Sequence, residues 1–291
     1  MKILILGAQG QLGKHLHHLF NDKYDVLAKG RQELDITDKE LVINEIRSFQ
    51  PDYIFNAAAY TNVEAAERER DVALRVNGTA LEYIAEGARE IGAILFHFST
   101  DYVFDGTSSY AYHESDKAFP INFYGKTKLI GEKNVQNNMD KYFIIRTSWV
   151  FSTKGNSFPQ KLLQLAMKNE SLDIVTDQYS APTYAPDIAN AVLDIIDHIE
   201  YGKEFMYGIY HYSGSPYTNW NLFAKEIIKL AQKKKLVNSS IKVNNILSGD
   251  LGLSAKRPLN SRLDCSKIKS IFGVEQKNWN DTLENIILDL K

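Results

Sequence analysis

The chain has 291 residues, 44% of them hydrophobic, with 34 basic against 36 acidic side chains and a net charge of -2. That length and apolar content suffice for one large α/β domain with an appended lobe, and the lack of a basic stripe interleaved with aromatic residues argues against a nucleic-acid surface. A single cysteine, Cys265, excludes an intrachain disulfide and a cysteine-rich metal site, and no apolar run is long enough to span a bilayer.

The first residues lead straight into an apolar run with no charged and apolar leader before it, so a cytoplasmic protein is the expectation. Lys2–Leu6 reads as a strand, followed by glycines at 7, 10 and 13 and then by apolar residues at helical spacing to Phe20. Strand, glycine turn and helix form a backbone that can approach a pyrophosphate and aim helix N-terminal amides at it, although the spacing is Gly-x-x-Gly-x-x-Gly rather than Gly-x-Gly-x-x-Gly. Asp25–Lys29 is a second strand. An acidic residue at its end would favour NAD, whereas Lys29 and Arg31 suit the 2′-phosphate of NADPH, with Glu33 nearby to soften the preference and NADH still acceptable. Thr37 and Glu40 have capping-box spacing for a helix to Ser48.

Residues 51–56 read as a third strand that empties into Ala57, Ala58, Ala59 and Tyr60. Small residues there let a flat ring lie against the backbone, as a wall of the adenine or ribose pocket, or equally serve tight helix–sheet packing. Residues 71–91 carry Ala, Leu, Val and Ile at helical spacing, which predicts one central helix with Asn77 as a polar contact at the site.

The stretch 93–132 carries the chemistry. Its apolar, aromatic-rich start predicts a buried strand that delivers Ser99 and Thr100 to the C-terminal edge of the sheet. Tyr124 and Lys128 follow four residues apart, on one face of a helix. An ammonium beside a phenol favours the phenolate and would lower the Tyr124 pKa from about 10, and Thr100 could hydrogen-bond a carbonyl oxygen that Tyr124 protonates. The spacing alone is expected about once by chance, and an ordinary surface helix would show it too; its place after a Ser-Thr strand end and a dinucleotide turn gives it weight. Residues 142–151 read as a further strand carrying Arg146 and Trp149.

Repeated strand–helix units over residues 1–154 predict a Rossmann-type, doubly wound, mostly parallel sheet. Residues 155–291 predict a smaller C-terminal α/β substrate lobe, with some segments returning to the sheet: helices at 158–168, 187–198 and 220–232, strands at 172–175, 208–212 and 241–246. Arg257 and Arg262 flank a rigid Pro258 and suit a diphosphate, unless Arg257 pairs with a carboxylate to fix the C-terminal segment. The basic run 233–235 ends a solvated helix. His15, His17 and His18 lack metal-ligand company and read as packing and surface residues.

Taken together, the glycine turn at 7–13, Asn-Ala-Ala-Ala-Tyr-Thr at 56–61, Ser-Thr-Asp-Tyr-Val-Phe-Asp-Gly at 99–106, the Tyr-Gly-Lys-Thr-Lys run at 124–128, Arg-Thr-Ser-Trp at 146–149 and Arg-Pro at 257–258 resemble the dTDP-4-dehydrorhamnose reductases, extended short-chain dehydrogenase/reductases. The resemblance runs along essentially the whole chain. It implies reduction of the 4-keto group of dTDP-6-deoxy-L-lyxo-4-hexulose by NADPH or NADH. By the same resemblance Tyr124 would donate the proton, Lys128 would hold the nicotinamide ribose and Thr100 would orient the keto oxygen. Asp101, Tyr102 and Trp149 would line the sugar pocket, with Arg257 on the substrate as well. The cofactor set would be Gly7, Gly10, Gln11, Leu12, Gly13, Arg31, Asp35, Ile36, Ala57, Ala58, Ala59, Tyr60 and Phe98, together with Tyr124 and Lys128.

Ser180 stands where the family usually has Gly and Asn219 where Ser is common, departures that bear on sugar preference. Some members dimerise through magnesium held by acidic side chains; His15 stands at one such place, so no magnesium is expected, and the chain is a monomer or homodimer. Nucleotide-sugar dehydratases of the superfamily carry Asp-Glu after the strand-end Thr, whereas Tyr102 follows Asp101 here, which favours net reduction. The alternatives are a reductase of another nucleotide keto-deoxysugar and a non-catalytic, NADP-binding regulatory subunit of the methionine adenosyltransferase type.

Overall fold

The computed structural model describes residues 1–238 and 240–290. The first half runs β1 (Lys2–Leu6), α1 (Gln11–Phe20), β2 (Asp25–Lys29), α2 (Lys39–Phe49), β3 (Tyr53–Asn56), α3 (Val63–Ala66), α4 (Arg70–Leu74), α5 (Ala80–Ile91), β4 (Ile94–Thr100), α6 (Phe123–Asn138) and β5 (Tyr142–Thr147). The second runs β6 (Val150–Phe151), α7 (Phe158–Ala166), β7 (Ser171–Val175), β8 (Tyr179–Ser180), β9 (Thr183–Tyr184), α8 (Ala185–Glu200), β10 (Gly208–His211), β11 (Thr218–Asn219), α9 (Trp220–Lys233), β12 (Lys242–Ile246), α10 (Ser266–Phe272) and α11 (Trp279–Ile286). No helix among the described residues is long and apolar enough to cross a membrane.

Alternation along the buried strands feeds two cores. Ile3, Ile5, Phe55, Phe96, Phe143 and Ile145 point to one face, where α1, α8 and α10 cover them. Leu4, Leu6, Ile54, Leu95 and Ile144 point to the other, against α2, α5 and Val135 of α6. Strands buried on both faces read as continuous apolar runs, as parallel sheets require. The sheet order is β10-β5-β4-β3-β1-β2, with every pairing parallel. The chain reverses direction across the sheet between β1 and β3, which opens a crevice at their carboxyl ends where such folds bind ligands.

Phe151 joins Leu162, Leu163, Phe223, Ile227, Trp279 and Leu283 of the second half in a separate core. Three two-stranded sheets, β7–β12, β8–β11 and β6–β9, frame it. The same half also returns β10 to the edge of the main sheet beside β5.

Three local expectations are corrected. Thr37 is not a cap: Asp38 caps α2 by accepting from the Leu41 amide at 3.1 Å, while Thr37 bonds to Asp35. The helix expected over 71–91 is interrupted by a wide π turn, Arg75–Thr79. The strand expected over 142–151 breaks at Trp149, whose φ of 44° turns the chain out of the sheet so that β6 pairs with β9.

Candidate active site

The crevice begins at the glycine turn. Gly7 has φ of 77°, and a Cβ there would lie 2.5 Å from the Ala58 amide; one on Gly13 would lie 2.2 Å from the Gly7 carbonyl. Both contacts are with backbone, so neither position admits a side chain. Gly10 begins α1 with no side-chain cap, which leaves the first-turn amides for a ligand.

From this turn a cavity of about 320 Å³ extends to the ends of β2 and β3, lined by Gly7, Gly10, Arg31, Asp35, Ile36, Ala57, Ala58, Ala59 and Tyr60. Leu34, Thr37, Val72, Arg75 and Val76 line it as well, and sequence reasoning missed all five. Arg75 matters most. It joins Arg31 and the Thr37 hydrogen bonds in holding the Asp35 carboxyl below the usual carboxylate range, with the bonds to Thr37 the larger cause. No motif signalled it; it opens the π turn.

The other expected cofactor residues lie outside this cavity. Lys29 is not free for a phosphate, since its ammonium pairs with Glu45 at 3.2 Å, and Glu33 is taken up by the Gly30 amide and Gln9. Leu12 and Phe98 pack in the core, where Phe98 gives its carbonyl to Lys128. Gln11, in the first turn of α1, keeps a buried Oε1 without a partner.

β4 delivers Ser99 and Thr100 to its carboxyl end, and Asn122 caps the helix that brings Tyr124 and Lys128 to them. The cap accepts from the Gly125 amide at 2.8 Å and donates to the Lys256 carbonyl at 2.8 Å, so it joins the start of α6 to the Arg257 segment. A Cβ on Gly125 would meet the Tyr102 carbonyl at 2.1 Å, which lets the first turn of α6 close on the residues after β4. Tyr124 stands edge-on to Tyr102, with ring centroids 6.1 Å apart, and the Thr100 side chain is near enough to act on its phenol.

The electrostatics differ from expectation. Burial pushes the Tyr124 phenol up to about 12; the Thr100 side chain works against this and the Asp101 charge adds to it. Lys128 is not among the groups that shift it; its Nζ donates to the Phe98 carbonyl at 2.7 Å and lies 3.3 Å from His97 Nε2. Burial brings Lys128 itself down to about 8, against the pull of Glu132. Asp101 is 2% exposed; its carboxyl accepts from Ser261 at 2.5 Å, Thr100 at 3.0 Å and Ser180 at 3.4 Å, yet burial still raises it to about 7. Neither serine was foreseen as part of this cluster.

Behind the site, the Glu132 carboxylate takes a bidentate bond from Arg146 at 2.9 and 2.7 Å and the Ser99 hydroxyl at 2.5 Å. This pair fastens α6 to β4 and β5. Asn77, expected at the site, is instead fully buried and structural: it accepts from the Tyr60 amide and donates to the Tyr60 carbonyl and to Thr127. His15 bonds to Ser152 at 2.7 Å, and burial with Lys154 brings it down to about 4.

On the lobe side, Trp149 stacks on Trp220 at 3.8 Å, and the Trp220 indole nitrogen is buried without a partner. Arg257 forms none of the ion pairs seen among the described residues; its buried Nε has no partner, and it borders a cavity of about 290 Å³ with Gln178, Ser248 and Lys256. Arg262, paired with it in the sequence expectation, is spent on structure, donating to Asn260 Oδ1 and the Ser109 carbonyl.

The family model for the RmlD substrate binding domain matches residues 1–291. A dTDP-4-dehydrorhamnose reductase of Aggregatibacter actinomycetemcomitans is 43% identical over 287 residues, covering 98% of each chain. One from Sinorhizobium fredii is 36% identical, over 99% of this chain and 97% of its own. The crystal structure of the Bacillus anthracis dTDP-4-dehydrorhamnose reductase in complex with NADP superposes with a TM-score of 0.91 at 33% identity, covering 99% of both chains.

Proposed function

This chain belongs to the dTDP-4-dehydrorhamnose reductase family, and on that premise we propose that it reduces the 4-keto group of dTDP-6-deoxy-L-lyxo-4-hexulose with NADPH, giving dTDP-L-rhamnose. The observation that carries the reading is the convergence of Thr100, at the end of β4, and Tyr124, at the start of α6, with Lys128 one turn along the same helix, beside the β1/β3 crevice.

The crevice fits a dinucleotide. Its glycine turn excludes side chains, α1 begins uncapped, Gln11 Oε1 lacks a partner, and two guanidinium groups stand at the far end. We assign the α1 amides to the pyrophosphate, Ala57 to Ala59 to the adenosine wall, and Arg31 with Arg75 to the 2′-phosphate, an arrangement that favours NADPH over NADH. Bound there, the cofactor supplies hydride to the carbonyl carbon.

The protein's part is the oxygen. Tyr124, with its phenol near 12, keeps its proton until negative charge develops on the keto oxygen, and then donates it. Thr100 holds that oxygen, an interaction that strengthens as the charge grows. Lys128 belongs to the ribose. Arg257, unpaired and backed by Lys256, suits the diphosphate, with Gln178 and Ser248 towards the nucleoside. Asp101 is bound up by three hydroxyls, and Tyr102 stands where elimination would need a second carboxylate, so reduction is the supported outcome. The lobe beyond residue 154 serves as the substrate side of the site, and we take the enzyme to work in the cytoplasm as a monomer or homodimer.

The test mixes purified protein, NADPH and the 4-keto sugar nucleotide and follows near-ultraviolet absorbance. Loss of NADPH absorbance with formation of dTDP-L-rhamnose supports the reading; bound NADPH that is never consumed refutes it.

A further inference from the structure

A buried chain of polar groups runs beneath the site. The Ala58 amide, on the wall of the crevice, donates to Asn56 Oδ1 at 3.2 Å. Asn56 Nδ2 lies 3.2 Å from His97 Nδ1, and His97 Nε2 lies 3.3 Å from Lys128 Nζ. Asn56, His97 and Lys128 are all at most 1% exposed, so no water shell can absorb a mismatched proton.

The proton positions follow from this order. Because Asn56 Oδ1 is used by Ala58, its amide nitrogen faces the imidazole, and Nδ1 must accept. Burial, the larger cause, holds His97 far below the usual imidazole range even without a charge on Lys128, so the ring is neutral and its one proton sits on Nε2. That N–H points at Lys128 Nζ, which already donates to the Phe98 carbonyl. Nζ can accept only as an amine. An ammonium in the same place would need a bare Nε2, hence a proton on Nδ1 and an Asn56 amide turned over.

We propose that His97 is a positioning residue that couples the charge of Lys128 to the crevice wall: Lys128 gains its proton together with a tautomer change of His97 and a turn of the Asn56 amide, which frees the Ala58 N–H. The heavy-atom arrangement, with Asn56 Oδ1 turned to the Ala58 amide, is the one that the amine form requires. In the change Nζ takes one proton, Nε2 releases one and Nδ1 binds one, for a net uptake of one.

The groups that bear on Lys128 are few. His97 faces it from β4; on α6, Glu132 opposes loss of its proton, with that carboxylate shared between Arg146 of β5 and Ser99 of β4. Tyr124 lies one turn before it on α6, and the Asp101 charge acts on that phenol. A midpoint near 8 for Lys128 puts both states within reach of ordinary buffers.

The inference takes from the proposed function only the importance of Lys128, and its test needs neither cofactor nor sugar, so either can fail without the other. The ligand-free full chain, labelled with ¹⁵N at histidine, would be followed by long-range ¹H–¹⁵N spectra from about pH 6 to about pH 9.5, with His97 assigned by its loss in His97→Gln. The expected result is a neutral ring that passes from the Nδ1–H to the Nε2–H tautomer with a midpoint near 8. In Lys128→Met the ring should keep one tautomer throughout. A parent ring with one fixed tautomer, an imidazolium, or a transition that survives Lys128→Met overturns the proposal. Should that variant fail to fold, the parent titration alone still decides, because a change of tautomer is required of it.

Discussion

On the proposed reading Tyr124 meets the keto oxygen as a neutral phenol, so its removal should cost chemistry and spare binding. Tyr124→Phe is expected to slow the reduction about 100- to 10,000-fold with NADPH affinity nearly unchanged, as single-turnover kinetics and fluorescence titration would show. Asp101 gives a second test. Its carboxyl titrates near 7 in the fold and near 4 when unfolded. A raised acid pKa means that the folded state holds the proton longer, so this contribution to stability is complete below about pH 4 and is lost as pH rises through about 7. Urea denaturation of Asp101→Asn should therefore gain on the parent between those limits and run parallel to it outside them; a constant difference would contradict the buried-acid account. Thr100, Tyr124 and Lys128 were legible because strand ends and helical spacing are local properties. Their charge states were not. Two of the hydroxyls bonded to Asp101 come from Ser180 and Ser261, 79 and 160 positions away, and no local pattern announces them.

The helix carrying Tyr124 owes its position to small residues at close crossings. A Cβ on Gly131 would stand 2.1 Å from the Asn77 carbonyl, in the π turn between α4 and α5. Gly131→Ala is expected to destabilise the fold by about 1–3 kcal/mol by forcing the helices apart. It should also lower activity through misplacement of Tyr124, which equilibrium unfolding and steady-state rates would measure; an unchanged midpoint would mean that the crossing relaxes freely. Periodicity found the strands and most helices here, since alternation and helical spacing reflect burial directly. It could not find the π turn or the Trp149 break. Both insert a change of direction into a run whose apolar pattern continues, and both answer to partners outside the run: Asn77 to Tyr60 and Thr127, Trp149 to Trp220.

Across the whole molecule, the cofactor half is not self-sufficient. The edge of β5 is covered by β10, and the face bearing Phe96 and Phe143 is closed by α8 and α10. A fragment of residues 1–154 should therefore show no cooperative thermal transition by circular dichroism and should aggregate; a sharp transition would mean that the sheet is stable without its later elements. Repetition of strand and helix revealed the doubly wound sheet, while the assignment of β10 to its edge depends on packing that no motif records. The proposed site draws on both halves, Thr100 and Tyr124 from one and Ser180, which bonds to Asp101, with Arg257 from the other. The proposed reaction delivers hydride to a sugar carbonyl at that junction. Its most direct test uses NADPH deuterated at nicotinamide C4 with dTDP-6-deoxy-L-lyxo-4-hexulose, and locates the label in the product by mass spectrometry and NMR. Deuterium is expected on C4 of the sugar; a reduced product without label at that carbon, or no reduced product at all, would rule out direct hydride transfer at this site.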